Sequence, residues 1–188
     1  RADCLSHWGI AREVASALGK KPCRPEPKTA WDPSRQDARP RTALEAGELG
    51  PQFLGCLVEG VKIGPSPEWM VRRLEAVGAR SINNVVDATN LVMFELGQPV
   101  HAYDAARLEG AAIVIREARA GEQLPLLDGT TITLAGTELV IADEAKPVAL
   151  AGVMGGGNSE VSDSTTRVYL EVAQFDPTSV RRAAGRHQ

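Results

Sequence analysis

From Ala112 onward the sequence alternates short apolar runs with turn-forming residues, and this pattern limits the fold more than any other feature. The Asp128-Gly129 pair is the strongest short-range hairpin signal, because both residue types tolerate the backbone of a tight two-residue turn. The predicted strands are Ile113–Ile115, Leu124–Leu127, Thr130–Leu134, Leu139–Ile141, Val148–Val153 and Val168–Val172. Their spacing predicts a mostly antiparallel or mixed sheet.

Start and stop signals mark four helices, three before Ala112 and one near the end of the chain. The predicted helices run from Asp3 to about Leu18, from Ser66-Pro67-Glu68 to Gly78, from Asn84 to Leu96, and onward from Asp176-Pro177. Asp3 can cap the first, the second and the last have a proline at the first helical position, and Gly19, Gly78 and Gly97 end the first three. A further strand is predicted from Phe53 to Ile63. This order of elements predicts the α+β class.

A proline-rich segment separates the first helix from the rest. Lys20 to Arg41 contains five prolines and many charges, which is typical of an extended linker. The apolar face of one isolated helix must pack on something, so we expect this helix to belong to another domain. The sequence therefore predicts two regions, 1–40 as a helix with its linker and 41–188 as one domain. We expect the whole to be a C-terminally truncated piece of a longer protein.

The composition excludes several functions. No run approaches the roughly 20 apolar residues of a membrane helix. The three cysteines, Cys4, Cys23 and Cys56, include no Cys-x-x-Cys pair, which indicates reduced thiols in a cytoplasmic protein rather than a zinc or disulfide scaffold. Beyond residue 42 the chain is net acidic, and only 4% of its residues are aromatic. If nucleic acid is a partner, other domains or chains must supply most of the binding.

Three segments place polar or glycine residues among apolar ones. They are Asp87–Asp104, Ala149–Gly157 and Val168–Ala173. A buried polar group costs free energy unless it finds a partner, so such segments form either an internal network or the wall of a polar site. Three of them in one modest chain indicate a pocket.

Five motifs in series resemble a known family. They are Asp3-Cys4-Leu5-Ser6 with Gly9-Ile10-Ala11-Arg12-Glu13, Val86-Asp87-Ala88-Thr89-Asn90, Gly97-Gln98-Pro99-Val100-His101-Ala102-Tyr103-Asp104, Ala151-Gly152-Val153-Met154-Gly155-Gly156, and Leu170-Glu171. In order, and over essentially the whole chain, they resemble the beta subunit of bacterial phenylalanyl-tRNA synthetase. The part from about Arg41 is similar to the editing domain, and the first helix to the end of the preceding domain.

The resemblance implies a three-layer β/β/α sandwich and a place in a phenylalanine–tRNA ligase, whose overall reaction uses ATP and magnesium. It implies that this domain is an aminoacyl-ester hydrolase that removes tyrosine wrongly attached to tRNA(Phe). The implied partners are tRNA(Phe) and the alpha subunit, in a cytoplasmic heterotetramer of two alpha and two beta subunits, with no membrane. ATP and magnesium would bind outside this region, so no cofactor is expected in the chain itself.

The resemblance also implies a set of site residues. The catalytic ones are His101, Thr89 and Asn90, and the substrate-binding ones are Glu171, Gly152, Gly155 and Pro99. Glu171 is similar to the residue that binds the tyrosine hydroxyl, and His101 is expected to orient a water molecule rather than to serve as an obligatory base. The two glycines match a loop that lets the backbone approach the ligand, which only glycine permits closely. No metal is implied.

The residues alone leave structural interpretations open. His101 can be a structural histidine with both nitrogens satisfied, and Glu171 can pair with Arg167 or Arg116. In a helix, Thr89 can bond a carbonyl one turn back while Asn90 faces water.

Other functions also remain open at this point. Asp87 is expected to cap or support structure rather than to touch a ligand. A non-catalytic domain that joins subunits or guides tRNA is the alternative to an editing domain. A free-standing small-molecule binding protein is the third possibility.

Overall fold

The structure, a computed structural model, describes residues 2–23, 41–50, 52–110 and 112–187. Its helices are α1 (His7–Ala17), α2 (Glu68–Ala76), α3 (Asn84–Leu96) and α4 (Pro177–Arg186). Its strands are β1 (Arg41–Leu44), β2 (Gln52–Glu59), β3 (His101–Asp104), β4 (Ala112–Glu117), β5 (Gln123–Pro125), β6 (Thr131–Thr133), β7 (Leu139–Ala142), β8 (Pro147–Leu150), β9 (Met154–Gly155) and β10 (Arg167–Gln174). The predicted α+β class is confirmed.

The chain forms two compact units, which we call the helical unit (α1, α2 and α3) and the sheet unit (all ten strands and α4). The division falls between Ile63 and Gly64 and again between Val100 and His101. Most of the predicted linker, and with it the predicted domain boundary at residue 40, lies outside the described residues. The boundary stays a prediction.

In the helical unit, local signals fix α3. Its first turn is capped by the Asn83 side chain, which accepts hydrogen bonds from two backbone N–H groups, and it ends at Gly97, whose φ of 82° favours glycine. Asp87 is fully buried and accepts hydrogen bonds from the hydroxyls of Ser66 and Ser81. It therefore supports the segments around α2, as expected for a structural residue.

The sheet unit contains three sheets. The largest has the strand order β1-β4-β7-β8-β9, with β1 and β4 parallel and the other neighbours antiparallel. The second, β2-β10-β3, is antiparallel throughout. The third is the β5-β6 hairpin, which confirms the turn predicted at Asp128-Gly129, where the Asp128 carboxylate accepts the N–H of Thr130 at 2.9 Å.

Side chains of successive residues on the central strands face opposite sides of the five-stranded sheet, and this alternation builds two cores and the layers around them. Leu139 and Ile141 of β7 face a core shared with Tyr103 and Tyr169 of the three-stranded sheet. Between them, Val140 faces a second core on the other side of the five-stranded sheet. That core is completed by the β5-β6 hairpin and by Ala183 of α4. The sheet unit is therefore layered β/β/α, because side chains of successive strand residues point to opposite faces.

Two helix starts differ from the predictions. α1 begins at His7, not near Asp3, because the Ser6 side chain accepts the N–H of Gly9 at 3.0 Å and provides the cap. Much of its predicted apolar face is exposed, including Leu5. α2 begins at Glu68, within the predicted segment, with Pro67 at the capping position rather than at the first helical position. The Ser66 hydroxyl donates to Asp87 instead of capping the helix.

Several strand predictions need correction. β2 ends at Glu59 rather than Ile63, before Gly60 with φ 71°, and β8 ends at Leu150 rather than Val153. The short strands β1, β3 and β9 were not predicted. His101 does not lie in an irregular segment, since it is the first residue of β3. Among the described residues, no helix is long and apolar enough to span a membrane.

Candidate active site

Strand pairing places His101 directly opposite Glu171. β3 and β10 are antiparallel, and their register pairs His101 with Glu171 and Tyr103 with Tyr169. Residues paired in this way lie on one face of the sheet with Cβ atoms typically about 5 Å apart. The two residues that the sequence singled out as hydroxyl reader and water orienter are therefore neighbours across one pair of strands.

Tyr103 connects these two residues. Its side chain is fully buried, and its ring meets the His101 ring edge to face, with centroids 4.5 Å apart. Its hydroxyl donates a hydrogen bond to Oε2 of Glu171. One tyrosine thus contacts both the imidazole and the carboxylate.

Gly155 forms the opposite wall of the same site. It lies on β9, the edge strand of the five-stranded sheet, and a Cβ at this position would stand 2.4 Å from Cε1 of His101. Any side chain here would displace the imidazole, so the close approach requires glycine. We name His101, Tyr103, Gly155 and Glu171 the edge cluster, since β3 and β9 are the edge strands of their sheets.

Burial changes the acid–base properties of Glu171. The residue is 6% exposed, and burial raises the pKa of its carboxyl to about 7, while the hydrogen bond from Tyr103 acts in the lowering direction. Among the described residues, its carboxylate accepts no other hydrogen bond. A largely buried acceptor with unused capacity binds a hydroxyl donor more strongly than an acceptor in water does.

His101 is neutral near pH 7. Burial lowers the pKa of its imidazole to about 4, because the charged form loses its hydration. Burial, followed by the charge of Glu171, raises the pKa of the Tyr103 phenol, which therefore stays protonated and keeps its role as a donor. A neutral imidazole has one nitrogen that can accept and one that can donate, which suits it to holding a water molecule.

The remaining predicted residues lie elsewhere. Thr89, Asn90 and Pro99 belong to the helical unit, and their grouping with His101 stays a prediction. The Thr89 hydroxyl donates to the carbonyl of Val86 at 2.8 Å, which is the back-bonding expected of a threonine inside a helix. Within the sheet unit, the structure brings together His101, Gly155 and Glu171.

Gly152 has a packing explanation of its own. Its φ is 69°, and a Cβ there would lie 2.7 Å from Cγ2 of Val180 on α4 and 3.2 Å from Phe175. The residue therefore allows the turn after β8 to pack against the last helix. Its predicted role beside a ligand remains a prediction.

Two residues of this region were missed by the sequence analysis. Tyr103 was recognised only as part of a motif, and its position two residues after His101 becomes meaningful once the segment is known to be a strand. Gly55 of β2 pairs with Glu171, and a Cβ there would stand 1.7 Å from the Tyr169 hydroxyl, which approaches Thr42 at 3.3 Å. No local sequence signal identifies such a contact.

One alternative for Glu171 is wrong. Arg116 pairs with Glu122 at 2.7 Å, so it is engaged elsewhere, and the hydrogen-bond donor to Glu171 is a phenol. In the described ranges, no three His, Cys, Asp or Glu residues are grouped to hold a metal ion.

Comparisons with known proteins agree with this fold. The B3/4 domain family matches residues 49–188. The chain is 50% identical over 187 residues to the phenylalanine–tRNA ligase beta subunit of Bdellovibrio bacteriovorus and 51% identical over 187 residues to that of Anaeromyxobacter dehalogenans. Each alignment covers 100% of this chain, and the chain spans only 23% of each relative. The resemblance derived from the five motifs is confirmed.

A solved structure gives the same fold. The N-terminal fragment of the phenylalanyl-tRNA synthetase beta subunit from Pyrococcus horikoshii is 14% identical and aligns with a TM-score of 0.51. The alignment covers 97% of this chain and 55% of the other. At this identity the likeness concerns the fold alone.

Proposed function

The chain belongs to the B3/4 domain family, and from this premise we propose that it is the proofreading domain of a phenylalanyl-tRNA synthetase beta subunit. In this proposal it hydrolyses tyrosine wrongly esterified to tRNA(Phe). The observation that carries the proposal is the edge cluster. It contains a buried carboxylate with unused acceptor capacity, across one strand pair from a neutral imidazole.

The selection problem explains why such a carboxylate is useful. A pocket built for phenylalanine cannot strongly reject an isostere that only adds a hydroxyl, and discrimination is then often about a hundredfold. A second site can select the error by requiring that hydroxyl. Tyrosine satisfies the Glu171 carboxylate, whereas phenylalanine leaves it buried beside an apolar ring, at a cost of about 1–3 kcal/mol or more for a charged group.

The proposed chemistry is modest. An aminoacyl ester is already activated, so the site needs an oriented water molecule rather than a strong nucleophile. His101 orients this water, helped by a hydroxyl of the terminal tRNA ribose, while Thr89 and Asn90 hold the aminoacyl group near its ester bond. Gly152 and Gly155 let the backbone approach the ligand, and Pro99 fixes the segment that leads to His101.

The properties of the whole enzyme extend the proposal. The parent is a phenylalanine–tRNA ligase that uses ATP and magnesium bound outside this region. Its partners are tRNA(Phe) and an alpha subunit, in a cytoplasmic heterotetramer of two alpha and two beta subunits. The description of the two relatives named above as beta subunits of that ligase supports only the place of the chain in such a subunit, and thus an alpha subunit as partner.

The test uses the full beta subunit assembled with its alpha subunit. Tyrosyl-tRNA(Phe) and phenylalanyl-tRNA(Phe) are offered, and their hydrolysis is followed separately. We expect fast loss of tyrosine alone. Glu171→Ala should reduce the preference for tyrosine by roughly tenfold or more, and His101→Ala should slow hydrolysis.

Glu117→Ala is the matched control, because it removes an exposed carboxylate from β4. It should leave both rates unchanged. If the Glu171 and His101 variants hydrolyse both substrates as the wild type does, the site assignment is wrong. If the wild type itself clears neither substrate, the domain is a scaffold or a guide for tRNA instead.

A further inference from the structure

We infer that Tyr103 is a positioning residue of this site, whose hydroxyl engages Oε2 of Glu171 so that Oε1 is the atom presented to the phenol of a bound tyrosyl group. This inference rests on the proposed function and deepens it, because it names the atom that distinguishes tyrosine from phenylalanine. Tyr103 itself would touch neither the ester nor the water.

The surroundings of Tyr103 leave it no alternative position. Its side chain is 0% exposed. Its ring contacts the His101 ring, with centroids 4.5 Å apart, and lies 6.4 Å from the Tyr169 ring, measured between centroids. Moving the ring would break its packing against His101 and Tyr169 and its burial, so we expect an incoming phenol to use the remaining oxygen.

The carboxylate has the capacity for both phenols. An ionised carboxylate offers about four lone-pair sites on its two oxygens. In this structure only Oε2 accepts a hydrogen bond among the described residues. The phenol of a bound tyrosyl group would donate a hydrogen bond to Oε1, so that both carboxylate oxygens would have a donor. A phenyl ring in the same place would exclude water from Oε1 without supplying a donor.

The Tyr103 hydroxyl also supports the ionised form of Glu171. Burial favours the protonated acid, and the phenol is the group that opposes this effect on the pKa. The titratable groups that face the carboxylate are His101 and Tyr103 from β3 and Tyr169 from its own strand, while β2 presents Gly55. His101 is neutral near pH 7, so no cation on these elements replaces the phenol as a partner.

Tyr103→Phe removes the hydroxyl and keeps the ring. In the assembled synthetase, the ratio of kcat/KM for tyrosyl-tRNA(Phe) to that for phenylalanyl-tRNA(Phe) is measured across pH. The wild-type ratio should rise as Glu171 ionises near pH 7. In the variant this rise should move to higher pH, and kcat/KM for the tyrosyl substrate at pH 7 should fall roughly tenfold, mainly through KM.

Tyr169→Phe is the matched control. It removes a phenol hydroxyl from the same core, but one that approaches Thr42 rather than Glu171. It should leave the pH midpoint of the selectivity ratio in place, even if thermal unfolding shows a loss of stability. A shift in the Tyr103 variant without a shift in the Tyr169 variant separates positioning from general packing.

The outcomes distinguish this inference from the proposed function. If the wild type clears neither substrate, the proposed function fails. If the wild type prefers tyrosine but Glu171→Gln leaves that preference intact, the assignment of Glu171 as the hydroxyl reader fails, and the inference fails with it. If Glu171→Gln abolishes the preference but Tyr103→Phe changes neither the pH midpoint nor KM, only the inference is overturned.

A second measurement applies if Tyr103→Phe does not fold. The fold of the wild type is then kept by incorporating 3-fluorotyrosine, whose phenol is a stronger donor. The pH midpoint should shift to lower pH, and an unchanged midpoint overturns the inference.

Discussion

Glu138 and Glu171 are two buried glutamates of the sheet unit, and they differ in what surrounds their carboxylates. Their exposed fractions are 2% and 6%. Glu138 accepts hydrogen bonds from the Arg186 guanidinium at 2.9 Å, from the His187 ring at 3.0 Å and from two backbone N–H groups. Glu171 accepts one hydrogen bond, from the neutral phenol of Tyr103.

The surroundings move the two pKa values in opposite directions. Burial acts to raise the pKa of Glu138, but its hydrogen bonds, led by that from Arg186, lower it to about 2. Burial raises the pKa of Glu171 to about 7, and a single phenol does not reverse the effect. Glu138 is a permanently charged attachment for the end of α4, whereas Glu171 is an incompletely satisfied acceptor.

This difference separates structural from functional polar groups. Buried polar groups are normally paired, so a well-supplied carboxylate such as Glu138 needs no ligand to explain it. A carboxylate held beside apolar and aromatic groups with spare capacity is the kind of group found at functional sites. Four predictions test the comparison between the edge cluster and the Glu138 cluster (Glu138, Arg186 and His187), from the largest expected effect to the smallest.

The largest effect is expected for Glu138→Ala. The substitution leaves buried backbone N–H groups unpaired and detaches the end of α4, so the unfolding free energy should fall by about 3 kcal/mol in urea titrations. Glu117→Ala, at an exposed position, should change it by about 0.5 kcal/mol or less. A loss below about 1 kcal/mol for Glu138→Ala would show that this cluster contributes little to stability.

The pH dependence of stability should differ in sign between the two glutamates. Glu171 keeps its proton to about pH 7 when folded but only to about 4.5 when unfolded. The folded state therefore binds more protons in this window, and the unfolding free energy of the wild type should fall with rising pH, by roughly 1–3 kcal/mol relative to Glu171→Gln. The contribution of His101 is present in both proteins and cancels in the difference.

For Glu138 the folded pKa is depressed from 4.5 to about 2. Its stabilisation should be present above pH 4.5 and should be lost as the pH falls toward 2. Unfolding curves of the wild type and Glu138→Gln between pH 2 and 7 check this. If Glu138→Gln and Glu171→Gln change the pH dependence of the unfolding free energy in the same direction, the two carboxylates do not differ in the direction of their pKa shifts.

Substitutions at Gly152, which packs against α4, and at Gly155, which packs against His101, should have smaller effects that separate structural packing from the edge cluster. Gly152→Ala combines an unfavourable φ of 69° with a clash against Val180, so the unfolding free energy should fall by about 1–2 kcal/mol. The substitution should disturb the packing of α4 rather than the edge cluster. Gly155→Ala should displace the His101 ring and slow ester hydrolysis more than it changes stability. Chemical denaturation and the hydrolysis assay are run on both variants. Equal effects in both assays would contradict the separation.

The smallest expected effect concerns the protonation of the His101 imidazole. Burial lowers the pKa of His101 to about 4, so its ring signals in NMR should shift with a midpoint near pH 4 and remain those of the neutral form at pH 6. In a urea-unfolded sample the same ring should titrate near 6.5. A midpoint near 6.5 in the folded protein would mean that the imidazole is hydrated, and the edge cluster would then not be dry.

Local signals predicted the elements that depend on nearby residues. The bounds of α3 were predicted as found, because Gly97 ends it. The β5-β6 hairpin and the start of α4 were also confirmed, since a turn pair and a capping aspartate followed by proline act within a few residues. α2 begins within the predicted Ser66-Pro67-Glu68 segment, but the hydrogen bond from Ser66 to Asp87 was not predicted, because short-range patterns do not contain such partners.

The site was predicted less completely than the fold. The family resemblance named His101 and Glu171 as site residues, which stays a prediction, and the sequence placed His101 in an irregular segment after Pro99. A four-residue strand such as β3 has little intrinsic signal, and its pairing with β10 stabilises it. The role of Tyr103 was missed for the same reason, since its partner lies 68 residues away.

The sequence by itself determined the α+β class, the helix ends set by local capping, and the membership of the family, because these depend on residue types and short spacings. Only the tertiary structure decided that the pKa of the Glu138 carboxyl is lowered to about 2 while that of the Glu171 carboxyl is raised to about 7. Glu138 and Glu171 are the same residue type, and both are buried. Their protonation is set by groups that the folded chain brings from distant positions, and a sequence pattern does not specify the number of hydrogen-bond donors that each carboxylate receives.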